Sequence, residues 1–141
     1  MKKTLQTSLS LLLALLLALS LSACRTKEVP EGLWKNAAYT EDTAFGSGET
    51  TITAQVEIQD RTVTFTVHTD QDTVGEALLE HGLIAGEEGP YGLYVKTVNG
   101  VLADYDADGH YWSFYVGEEG AMQGVDQTPV EAGAVYRFVY A

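Results

Sequence analysis

The chain has 141 residues, 45% hydrophobic and 20% charged, a balance that supports one packed domain and argues against a disordered or fibrous chain. Eight cations against twenty acids give a formal charge of −12, which excludes the basic stripe that nucleic-acid binding needs and repels anionic headgroups. With Cys24 as its single cysteine, the chain can form no intramolecular disulfide, thiolate zinc site or CxxC redox pair.

In chain order, Lys2 and Lys3 form a positive start, and about Leu9 to Leu21 is nearly all Leu, Ala and Ser, the n-region and h-region of a signal peptide. The apolar run is short of the ~18–20 residues of a spanning helix, and no basic stop-transfer cluster follows. Leu21-Ser22-Ala23-Cys24 resembles the lipobox of bacterial lipoproteins, which implies cleavage after residue 23 and a lipid on the Cys24 thiol. More than one acyl chain would anchor stably, at ~0.8 kcal/mol per buried methylene. With Lys2 and Lys3 removed, six cations face twenty acids, and the mature charge becomes −14.

Residues 24–49 are polar and punctuated by Pro30, Gly32, Gly46 and Gly48, and read as a lipid-anchored tether on which Trp34 and Tyr39 are free to dock. The domain is expected over residues 50–141. Ile52, Ala54, Val56 and Ile58 alternate with polar residues, as do Val63, Phe65 and Val67 after a Gln59-Asp60 turn, and this period of two predicts a hairpin. Asp72 is the expected cap of a helix over Thr73–His81, with Gly82 as its stop.

Gly86 to Gly92 reads as a loop and Tyr91 to Val98 as a strand, followed by the type I′ hairpin signal Asn99-Gly100 and a return through Val101 and Leu102. Tyr111 to Val116 carries large residues on both faces, which predicts a central or covered strand. Gly117-Glu118 fits a type II′ turn, and Val135–Tyr140 follows a turn at Gly133. Two strands, one helix and then three or four strands make an α+β arrangement with the helix across a mixed sheet.

Four stretches carry a family resemblance: Thr73-Val74-Gly75-Glu76-Ala77-Leu78-Leu79; Tyr91-Gly92-Leu93-Tyr94-Val95 with Val98-Asn99-Gly100; Tyr111-Trp112-Ser113-Phe114-Tyr115-Val116; and Gly124-Val125-Asp126. Together with the lipobox they resemble a small bacterial lipoprotein family of unknown function whose domain is similar to the C-terminal β-domain of transcobalamin and intrinsic factor. The family has Asn-Gly after the aromatic strand where this chain has Gly117-Glu118. The resemblance implies a β-grasp-like fold and a binding role. In the vertebrate proteins the related domain covers one face of a corrinoid and is paired with an α-helical barrel, so a lone domain offers half of such a site.

Two constellations are candidates for chemistry. Asp104, Asp106 and Asp108 with Gly109 reproduce the first half of a calcium loop, although Tyr115 stands where the closing Glu belongs; the alternative is a solvated acidic turn. Tyr91, Tyr94, Trp112 and Tyr115 belong to a dense aromatic set, with Trp112 and Phe114 on one face of their strand and Tyr111 and Tyr115 on the other. Exposed aromatics rimmed by polar groups mark contact surfaces, unless the helix and the Leu33–Phe45 segment cover both faces.

His68, His81 and His110 lack zinc-pair spacing, Glu87 and Glu88 read as solvated, and no nucleophile elbow, P-loop or dinucleotide fingerprint occurs. A non-enzymatic protein is expected, lipid-anchored on the outer face of the cytoplasmic membrane, or on an outer membrane where there is one. Its expected role is to capture a small molecule, a corrinoid among the possibilities, or to assist a transporter. The competing expectation is an adhesion or interaction module ordered by Ca2+.

Overall fold

A computed structural model describes residues 31–141; the expected signal peptide, the lipidation site Cys24 and the start of the tether lie outside the described residues. The two period-two segments form the longest strands, β2 (Thr50–Ile58) and β3 (Arg61–Thr69), joined where Gln59 takes φ +58°. Their inward residues Ile52, Val56, Ile58, Val63, Phe65 and Val67 are all buried, each worth roughly 1.5–3 kcal/mol against exposure. The outward Thr53, Thr64 and Thr66 are half-buried, which is the alternation the pattern requires.

This hairpin is the middle of a six-stranded mixed sheet. β1 (Thr43–Phe45) pairs parallel with β3, and β9 (Val135–Tyr140) pairs parallel with β2. Beyond β9 lie β7 (Trp112–Val116) and the edge strand β8 (Glu119–Gly120), both antiparallel. A second sheet holds β4 (Ile84–Gly89), β5 (Gly92–Val98) and β6 (Val101–Leu102) in antiparallel order. The helix α1 (Val74–Glu80) buries Val74, Ala77 and Leu78 in the shared core. The α+β class stands, with strands added that the sequence pattern does not announce.

Thr73, and not Asp72, caps α1. Its Oγ1 accepts from Glu76 N at 3.2 Å while the Glu76 carboxylate accepts from Thr73 N at 3.4 Å, so two orphan donors are satisfied reciprocally. Asp72 instead offers its main-chain oxygen to Val130 N at 2.9 Å. Gly82, at φ +66°, ends the helix as expected.

The segment expected to be a tether packs on the domain from Gly32 onward. A 3-10 turn over Gly32–Asn36 buries Trp34, over which the Arg61 guanidinium lies 4.8 Å from the ring centroid. Strand β1 then extends the large sheet, and the rings of Tyr39, Phe45 and Phe65 meet edge to face.

Most of the expected Gly86–Gly92 loop is strand β4. Its residues are largely exposed, so the main-chain ladder with β5 holds it where side-chain burial would not. The aromatic strand β7 is neither central nor fully covered, because β8 pairs with only Tyr115 and Val116. The expected calcium-like loop is a single helical turn, α2 (Tyr105–Asp108), which ends at Gly109 with φ +75°.

Candidate functional site

Strands β5 and β7 come together from different sheets and leave a cleft of about 380 Å³ between them. Leu93, Tyr94 and Val95 form one wall, Tyr111 to Tyr115 the other, and the segment from Gly120 to Val125 crosses one end. Both walls are strands with an uncovered edge. On its outer side β7 has a strand partner only at Tyr115 and Val116, with Ala121 N donating to Phe114 O at 3.0 Å. β5 meets β6 only at Thr97 and Val98. Main-chain donors and acceptors along such edges are available to a ligand.

The side chains differ in what they contribute. Trp112 is 7% exposed, and its Nε1 donates to Val101 O at 3.0 Å, so it is a fixed core wall that borders the cleft. Phe114 stacks on Phe138 with ring centroids 5.1 Å apart. Tyr94 is 46% exposed and Tyr111 45%, leaving aromatic surface for a ligand. Tyr115 lies under the Arg137 guanidinium at 5.2 Å. Arg137 is held in turn by Glu57, at 2.8 Å, and faces Glu118 at 3.6 Å. The Glu57 bond and the nearby acids raise the guanidinium above its ordinary pKa, so it stays charged over the ring.

Of the four aromatic residues singled out from the sequence, Tyr94, Trp112 and Tyr115 line this cleft. Tyr91 does not. It is 89% exposed beside Met122 in an adjacent cleft of about 390 Å³ that shares Ala121, Gln123 and Gly124 with the first.

Asp104, Asp106 and Asp108 are not gathered around a common point. Asp104 Oδ1 accepts from Asp106 N at 3.2 Å, and Asp108 Oδ1 accepts from His110 N at 2.9 Å. Both carboxylates thus brace their own turn. Among the described residues no group of three or more His, Cys, Asp or Glu could hold a metal ion. His110 stacks on Tyr140 at 4.9 Å, and burial followed by the nearby Asp108 charge raises the Tyr140 hydroxyl above its ordinary value.

Sequence reasoning did not single out Asp126. A β-carbon on Gly75 would stand 2.9 Å from both Asp126 Cα and N, and one on Gly92 would stand 2.6 Å from both carboxylate oxygens. Glycine at these two positions admits the Asp126 turn to the space between α1 and β5. The signal was present in Gly124-Val125-Asp126, a stretch with neither periodicity nor a metal-like spacing to draw notice. Three of the four stretches of family resemblance contribute residues to the cleft, and the first, Thr73 to Leu79, packs behind it against the Val125–Gln127 turn.

The family described as a domain of unknown function (DUF4430) matches residues 71–140, which span both clefts. A protein of known structure from Ruminococcus gnavus, described as a candidate metal binding protein, shares 34% identity with a TM-score of 0.62, over 66% of this chain and 97% of that one. Haptocorrin, solved in complex with Cbi, shares 20% identity with a TM-score of 0.56 over 69% of this chain. The match takes in 26% of haptocorrin, and at that identity it shows a common fold alone. No curated protein matches the chain.

Proposed function

The chain belongs to the DUF4430 family, and from that premise we propose that it is a lipid-anchored, non-catalytic binding protein on the outer face of a bacterial membrane, whose β5–β7 cleft captures a small molecule. The observation that carries this reading is the convergence of Tyr94, Tyr111 and Tyr115 with two uncovered strand edges around one concave space. Its volume falls near the lower end of the roughly 300–1,000 Å³ of small-molecule pockets.

The corrinoid-like macrocycle implied by the sequence resemblance is the ligand class we put first, and haptocorrin, solved with Cbi, shares the fold that would present it. An open cleft between two strands would cover one face of such a ring and leave the other for a partner, which fits hand-over to a transporter. The acidic surface, at −12 for the whole chain, disfavours anionic ligands and anionic headgroups alike. Attachment therefore falls to Cys24.

Exposed Tyr91 and Met122, at 89% and 96%, favour a second reading in which this rim touches a protein partner. Mass spectrometry of small molecules retained by the full chain, purified in detergent from its host, separates the two. A retained molecule that is lost on Tyr94→Ala supports capture; an empty protein that still retains a membrane partner supports the second reading. Fatty-acid labelling that persists after Cys24→Ala would refute the anchor.

A further inference from the structure

The chain enters the domain at one end of the large sheet. Strand β1 runs parallel to β3, whose first residue is Arg61, so the segment leading into β1 arrives from the Arg61 end. Trp34 lies there under the Arg61 guanidinium, and Arg61 Nη2 donates to Thr40 O at 2.6 Å. The tip of the β5–β6 hairpin holds the same segment, with Ala38 N donating to Asn99 O at 2.8 Å. The opposite end of the sheet carries two turns: Gly133 N donates to Thr51 O at 2.9 Å, and Gly117 N to Val135 O at 2.8 Å.

From Gly32 onward the chain is held by the domain, and only residues 25–31 separate that point from Cys24. Fully extended, this stretch spans at most about 26–29 Å. A domain of this size has a radius of gyration of about 13 Å, and the path over its surface from one pole to the opposite one is roughly 50 Å. The stretch is too short to cover it. A lipid on Cys24 therefore cannot present the Gly133 end of the sheet to the membrane.

We propose that the Gly32–Asn36 turn, the Gln59-Asp60 turn and the tip of the β5–β6 hairpin form the face that this domain turns to a lipid bilayer. The inference rests on the lipid anchor at Cys24 and on no property of the cleft's ligand. Tether length selects the face, and charge keeps it outside the lipid. Residues 25–36 set Arg25, Lys27 and Lys35 against Glu28 and Glu31, whereas residues 37–141 hold three cations against eighteen acids. Asp60 lies at this end, as does Asp108, which accepts from His110 N while His110 Nδ1 meets Ala141 O at 3.0 Å. The face thus rests near phosphate headgroups without sinking between them. Tyr111, bonded through its main chain to Ala141, puts the start of the cleft at the membrane end and Tyr115 toward the far one.

The test uses the full lipidated chain on vesicles of phosphatidylethanolamine and phosphatidylglycerol. Thr62→Cys and Ala132→Cys, at exposed positions, each supply one free thiol for a fluorophore, since the lipid occupies that of Cys24. Thr62 pairs with Glu57, and Ala132 adjoins Gly133, which bonds to Thr51, so the labels stand about six residues apart along β2, or roughly 20 Å. Energy transfer to an acceptor lipid should place the Thr62 label nearer the bilayer by about half of that separation or more. A spacer of about twenty Gly and Ser residues between Glu31 and Gly32 extends the reach beyond the pole-to-pole path and should abolish the difference. Co-flotation with the vesicles checks the anchor separately: protein that does not float overturns the anchor and the orientation with it. Floating protein whose labels are equally distant, whose Ala132 label is the nearer, or whose difference survives the spacer overturns the orientation alone.

Discussion

The Asn99 side-chain amide grips the main chain of Tyr39 at both ends: Tyr39 N donates to Asn99 Oδ1 at 2.9 Å, and Asn99 Nδ2 donates to Tyr39 O at 2.7 Å. Ala38 N adds a bond to Asn99 O at 2.8 Å. One residue at the tip of the β5–β6 hairpin thereby fastens the segment that leads into β1 to the smaller sheet. Asn99 is 1% exposed and takes φ +50°, so the residue chosen for the turn also supplies the clasp.

Replacing Asn99 separates these two roles. Asn99→Gly keeps the left-handed conformation and loses the side-chain bonds, for an expected loss of about 1–3 kcal/mol. Asn99→Ala adds the left-handed strain, for a further loss of roughly 1 kcal/mol. Urea unfolding of both variants checks the order; equal stabilities would show that the turn conformation carries no strain.

Gly75→Ala should destabilise even though alanine is the better helix former, by up to ~1 kcal/mol. Its methyl would meet the Asp126 main chain at 2.9 Å, and main chain cannot rotate away. Overpacking of this kind costs about 1–3 kcal/mol, so a net loss in thermal denaturation is expected. A gain would mean that α1 and the Asp126 turn do not press together as described.

Alkaline pH tests the buried phenol of Tyr136. Its hydroxyl donates to Pro129 O at 3.0 Å and accepts from Glu131 N at 3.1 Å. Burial raises its pKa above the ordinary 10.0. The folded state therefore holds the proton more tightly than the unfolded one, and stability that is fully present below pH 10 is lost as pH rises through the raised folded value. Unfolding free energy should be level near pH 8–9 and fall above about pH 10. Tyr136→Phe should make that fall shallower; an unchanged slope would exclude Tyr136 as its source.

Where side chains dictate structure, the sequence was legible. The β2–β3 hairpin follows from strict alternation, and the two-residue turns at Asn99-Gly100 and Gly117-Glu118 follow from residues that tolerate positive φ. Strand β4 was hidden because Gly86, Glu87 and Glu88 are exposed and join the sheet chiefly through main-chain bonds, with one surface ion pair from Glu87 to Lys96 at 3.3 Å. β1 has three residues and shows no period. In Asp104–Gly109, a spacing shared by calcium loops and capped helical turns forms the latter here, with Gly109 as its left-handed exit. Tyr94 and Tyr115, which line the cleft, stood out in the sequence from aromatic density. Asp126 did not, because its setting depends on what Gly75, Gly92 and Gly124 lack.

Capture of a ligand in the β5–β7 cleft is tested most directly by equilibrium titration. Small molecules extracted from the host, and purified corrinoids, would be titrated into the full chain while its intrinsic fluorescence is followed, since Trp112 borders the cleft. A saturable change in the wild type that weakens at least tenfold in Tyr94→Ala and in Tyr115→Ala is the predicted result. A change of equal affinity in all three proteins, or none in the wild type, would contradict the cleft as the binding site.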